Sequence, residues 1–167
     1  MNIAFFRIIL AFLALNLCAC TSFDREWRLW SPPTPAGTHV LVRKSGIPPT
    51  PQSPFDGRWV GKWTSDRHKE LFSSKPAQGE VRLVFTKMDP YRYRSHFRAI
   101  WTNFRSDHLV TLNGKQRGET LHLHGTQPVS RVFGSYSYDA TVTPTHFSMR
   151  YDSRYDSGKL ELDKLRP

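Results

Sequence analysis

From residue 55 onward, apolar and polar residues alternate with a period of two. The clearest run is YRYRSHFRAIW, in which Tyr91, Tyr93, Phe97, Ala99 and Trp101 share one side while Arg92, Arg94, His96 and Arg98 share the other. Successive side chains of a strand point to opposite faces, so such a run is an antiparallel strand with one face buried. Val81, Leu83 and Phe85 repeat the pattern, as do Leu121 and Leu123 against His122 and His124. Val132, Gly134, Tyr136, Tyr138, Ala140 and Val142 form another such face, followed by Phe147, Met149 and Tyr151, then Leu160 and Leu162. Asp89-Pro90, Asn113-Gly114 and Asp156-Ser157-Gly158 supply turn signals between the runs. The pattern predicts strands over 57–65, 79–88, 91–102, 106–113, 118–125, 131–142, 145–151 and 158–163. Consecutive hairpins with one apolar face give an all-β domain. We expect a single antiparallel up-and-down barrel of about eight strands, with a sandwich as the alternative. Closure would remove the exposed edges that invite aggregation.

The domain opens on FDGRWVGKW, where Trp59, Gly61 and Trp63 share a face and Gly57 frees the backbone at the strand start. This resembles the G-x-W opening of lipocalins and related calycin barrels. The resemblance spans 55–167 in strand count and order, but only Gly57 and Trp59 in motif. It implies that Trp59 plugs the closed end of a lipocalin-like barrel, and that an arginine late in the chain stacks on it, for which Arg154 is the candidate. The C-terminal MRYDSRYDSGKLEL is also similar to the end of small secreted bacterial proteins that close on a Tyr-Asp-x-Gly hairpin, a resemblance that implies no activity.

Ahead of the domain the pattern is different. Arg7 precedes a ten-residue run, Ile8 to Leu17, that is apolar apart from Asn16. This is short for a membrane span, which needs about 20 residues, and suits an export signal. Leu17-Cys18-Ala19-Cys20 follows and resembles the lipobox of bacterial lipoproteins. The resemblance implies a signal peptide over 1–19, cleavage before Cys20 and lipidation of that cysteine with a diacylglycerol and a palmitate-like acyl group. Thr21 is not the aspartate that retains such proteins in the inner membrane, which points to the outer membrane, facing the periplasm. An uncleaved helix and a Cys18–Cys20 disulfide are the alternatives; the second is strained at that separation. Residues 20–54 read as a tether, because seven of the chain's 12 prolines lie between Pro32 and Pro54. Trp27 and Trp30 within it would rest on lipid headgroups or pack onto the domain. Residues 38–44 alternate like a short strand.

The chain's net charge is +10, and removal of a leader whose one charge is Arg7 leaves +9. A basic chain tethered to a membrane is drawn to anionic lipid or an envelope polymer; an exported protein gives nucleic acid no role. The row Arg92, Arg94, Arg98 is the candidate basic face. His122 and His124 point the same way and would need His108 or His96 to complete a zinc site, on a surface whose arginines oppose it. The mature chain offers no free thiol, no nucleophile elbow and no selected carboxylate pair, so no enzyme and no cofactor are expected. Trp59, Tyr91, Tyr93, Trp101, Tyr136, Tyr138 and Tyr151 are the candidate interior set. They line the mouth for a small hydrophobic ligand, or they are filled core. Two functions follow: a lipid-anchored barrel that binds such a ligand, or a filled barrel that interacts through its basic face.

Overall fold

Each of the eight alternating runs from residue 57 onward forms a strand in the computed structural model, which describes residues 22–30, 51–69, 75–101, 104–130 and 134–166. The export signal, Cys18, Cys20 and the run 38–44 lie outside the described residues. The strands are β1 (Gly57–Lys69), β2 (Pro76–Lys87), β3 (Arg92–Trp101), β4 (Phe104–Arg117), β5 (Thr120–Ser130), β6 (Gly134–Val142), β7 (His146–Asp152) and β8 (Ser157–Lys164). Each pairs antiparallel with the next, and β1 also pairs with β8, so the sheet closes into an eight-stranded up-and-down barrel.

Two turns differ from expectation. Asn113-Gly114 is not a hairpin turn; it sits inside β4, paired with His124 and Leu123. Its glycine is demanded by close strand approach, since a Cβ there would lie 1.9 Å from the His122 carbonyl oxygen. The turn comes four residues later at Gly118-Glu119, where Gly118 has φ +60°, the conformation primed two-residue hairpin turns reserve for glycine. The last turn is 153–156, with the Ser153 amide donating to the Asp156 carbonyl at 2.8 Å, and Gly158 already lies in β8.

One end of the barrel is plugged. Phe85 stacks on Tyr93 at 5.4 Å, Phe147 meets Phe85 edge-on at 5.4 Å, and Trp59 meets Phe147 at 5.8 Å. All four rings are buried, with Phe55 beside them in the same cluster. Gly57 has φ +133°, open to glycine and costly to other residues. The Lys164 amine lies 5.5 Å over the Trp59 ring, brought there by the Trp59–Lys164 pairing of β1 and β8. The cation on the plug tryptophan is therefore Lys164, not Arg154, which sits over Tyr155 beside the β7–β8 turn at the opposite end. Segment 51–56 seals this end through Asp56. Its carboxylate accepts from the Gln52 amide (2.7 Å), the Ser53 amide (3.0 Å), the Ser53 hydroxyl (2.8 Å) and the Lys87 amide (2.7 Å).

A helix, α1 (residues 22–29), lies against the outside of the barrel. It falls within the stretch that composition assigns to the tether. Phe23 is fully buried, and Val84, on the outer side of β2 between Arg58 and His96 in register, is buried as well.

Asp56 is buried and accepts four hydrogen bonds, and bonds to charged groups contribute about 1.5–3 kcal/mol each, net of exchange with water and not additively. Asp56→Ala is expected to destabilise the barrel by about 3 kcal/mol, lowering Tm by roughly 10 °C in thermal denaturation followed by circular dichroism, with the strand signal unchanged below the transition.

Candidate functional site

The end opposite the plug is hollow. A cavity of about 230 Å³ lies there, walled by Trp63, Phe97, Trp101, Tyr136, Tyr138 and Tyr151, with Ala77 and Ala99 as its small residues. Alternation places these side chains inward, and the shortness of Ala77 and Ala99 leaves the space. The candidate tyrosines divide. Tyr136, Tyr138 and Tyr151 meet one another at the cavity, with ring centroids 6.2 Å and 6.0 Å apart. Tyr93 belongs to the plug, with Trp59. Tyr91 does not line the interior at all: it is 58% exposed at the plugged end, where the Lys115 amine stands 5.5 Å over its ring. The strand has reached the turn there, and the inward position opens onto solvent. Trp101 keeps its place on the wall, edge-on to Trp63 at 6.4 Å, and is partly exposed at the rim.

The cavity's polar groups are few. The Tyr151 hydroxyl donates to Asp156 at 3.0 Å, and the Ser65 hydroxyl donates to the same carboxylate at 2.6 Å. The Ser106 hydroxyl meets His108 Nε2 at 2.7 Å. Burial pushes the His108 imidazole below its ordinary value, so the ring is neutral at neutral pH. Burial likewise pushes the Tyr138 and Tyr151 hydroxyls up, keeping both as phenols. Asp107, between Ser106 and His108 in sequence, faces the other side of the strand, where Arg98 engages it. The result is an apolar chamber with phenol, imidazole and hydroxyl groups on its walls and one carboxylate at its mouth.

The basic row is not a bare face. Arg92 pairs with Asp89, and Arg94 with Glu26 of α1. The Arg98 guanidinium holds Asp107 through two bonds of 2.6 and 2.9 Å and Asp24 of α1 at 2.6 Å, with Phe23 4.5 Å beneath it. His96 Nδ1 lies 2.8 Å from Glu26, and its ring meets Phe23 edge-on at 5.0 Å. His96 and Arg98 therefore point outward as alternation requires, yet both are buried, because α1 covers them. Trp27 packs on the domain, with Arg58 and Arg82 at 5.2 and 5.9 Å from its ring. The sequence carries a signal for this that strand periodicity obscures: Phe23, Trp27 and Trp30 recur at helical spacing among acids and arginines. The histidines do not gather. His122 and His124 are exposed on β5, His108 faces the cavity and His96 lies under α1. Among the described residues no group of three or more histidine, cysteine or carboxylate side chains is placed to hold a metal.

Burial alone would raise the Glu26 carboxyl, but His96 and Arg94 together outweigh it and hold it below the ordinary glutamate value. A depressed carboxyl contributes docking energy that is full above the unfolded value and is lost as pH falls through the folded one. On acidification the protection factors of residues 22–30, taken relative to the intrinsic exchange rate at each pH, are expected to fall before those of the barrel strands. Glu26→Gln should weaken docking by about 2 kcal/mol and remove this pH dependence.

No family model matches the chain, and neither does any curated protein or solved structure, so the functional reading rests on the geometry itself.

Proposed function

We propose that this is a lipid-anchored barrel of the cell envelope that binds a small hydrophobic molecule without chemically changing it. The observation that carries the reading is the division of the interior: one end packed with rings, the other hollow, apolar and edged with neutral hydroxyls. A chamber of about 230 Å³ falls below the roughly 300–1,000 Å³ of drug-sized ligand pockets. Its occupant is a small apolar molecule, or the end of a longer chain whose remainder stays outside. The Asp156 carboxylate at the mouth disfavours a second anion beside it, so an apolar end enters first. The anchor rests on the resemblance of Leu17-Cys18-Ala19-Cys20 to a lipobox, and the envelope location follows from it. The interaction reading has less support. Arg92, Arg94 and Arg98 each already have an acidic partner within the chain.

Titration of a fluorescent long-chain fatty acid tests the reading. Saturable binding is expected, with Ala99→Phe, which fills the chamber, losing it at least tenfold, about 1.4 kcal/mol. Tyr93→Phe, in the plug, should bind as the unaltered protein does. Circular dichroism checks that Ala99→Phe is folded. Absence of binding to the unaltered protein, or equal binding by a folded Ala99→Phe, contradicts the proposal.

A further inference from the structure

The direction of α1 fixes which end of the barrel stands nearest the anchor. Phe23 and Asp24, at the helix start, contact Arg98, three residues before β3 ends at Trp101 on the cavity rim. Glu26, farther along, contacts His96 and Arg94. Trp30, at its finish, lies about 4 Å from where a side chain on Gly57 would begin, where β1 starts at the plugged end. The helix thus runs from mouth to plug, antiparallel to β3. Cys20 precedes Ser22 by two residues, which span at most about 7 Å when fully extended. From Arg98 to Trp101 is about 10 Å of strand, and the whole of β3 is about 33 Å long. Cys20 can therefore lie no more than about 7 Å from the helix start, which stands nearer the mouth than the plugged end.

We infer that the lipid anchor seats the mouth of the cavity against the bilayer, so that the bound apolar chain enters from the membrane itself. This rests on the lipid-anchored reading above and adds the orientation and the source of the ligand. The rim has the residues for such a seat. Trp101 is 37% exposed there, and Arg105, paired in register with Ile100, is exposed beside it. Tryptophan favours the headgroup layer, and an arginine is drawn to anionic lipid. The small chamber fits the same picture: it holds the end of a chain while the remainder stays in the leaflet. The plugged end is the rival membrane face, because Met88 and Tyr91 are exposed there. Its distance from the anchor rules against it, as does the Lys164-covered tryptophan that closes it.

The test uses the full lipidated chain in vesicles of phosphatidylethanolamine and phosphatidylglycerol, with a nitroxide on Arg105→Cys at the mouth or on Lys115→Cys near the plug. The expected result is several-fold lower accessibility of the Arg105 position to an aqueous nickel complex than of the Lys115 position. Asp24→Ala with Glu26→Ala, which loosens α1, should abolish the difference while the protein stays on the vesicles. Equal accessibility at both positions, or protection at Lys115, overturns the orientation. Mass spectrometry of the N-terminal peptide from the same sample separates the two claims. An unacylated Cys20 removes the anchor on which the orientation depends, whereas an acylated protein with equal labels removes the orientation alone.

Discussion

An eight-stranded ring has an interior only about as wide as the side chains that fill it, and the rest of this molecule follows from how that space is divided. At the plugged end the inward positions of β1, β2, β3 and β7 carry Trp59, Phe85, Tyr93 and Phe147. These rings interlock at centroid separations of 5.4 to 5.8 Å. At the other end the inward positions of β2, β3 and β4 carry Ala77, Ala99 and Ser106. Small residues there leave a void that the tyrosines of β6 and β7 wall without filling. The cavity is thus a consequence of residue size along alternating positions.

The outer surface obeys a different constraint. Arg98, His96 and Asp107 have their side chains almost wholly out of water. Removing one partner from such a group costs roughly 3–5 kcal/mol, because the remaining charge has no solvent to turn to. The Arg98–Asp107 pair is directly opposite across β3 and β4, and α1 completes its surroundings with Asp24 and Phe23. The same helix that brings acids to Arg94, His96 and Arg98 runs along the barrel from the mouth side toward the plug.

The strands were legible because period two is a local signal: each of the eight runs forms a strand, although β1, β4 and β5 run four or five residues past their expected ends. Asn113-Gly114 misled because a hairpin dipeptide and a close backbone approach require the same glycine, and only the His122 carbonyl beside it tells them apart. Tyr93 and Tyr138 both face inward, yet one packs into the plug and the other walls the cavity, since alternation gives the face but not the height along the barrel axis. The burial of His96 and Arg98 was hidden for another reason: it depends on a helix some seventy residues upstream whose acids meet them only in three dimensions. Proline density marks 20–54 as a tether and masks the helical spacing of Phe23, Trp27 and Trp30 inside it.

The central claim is that one half of the barrel interior is solid and the other is open to an apolar guest. Methyl and aromatic NMR spectra recorded during titration with a short aliphatic alcohol address it most directly. The account predicts saturable shifts at Phe97, Trp101, Tyr136 and Tyr138, with Phe85, Tyr93 and Phe147 unmoved. Shifts spread evenly over both sets, or none at the chamber residues, would contradict it.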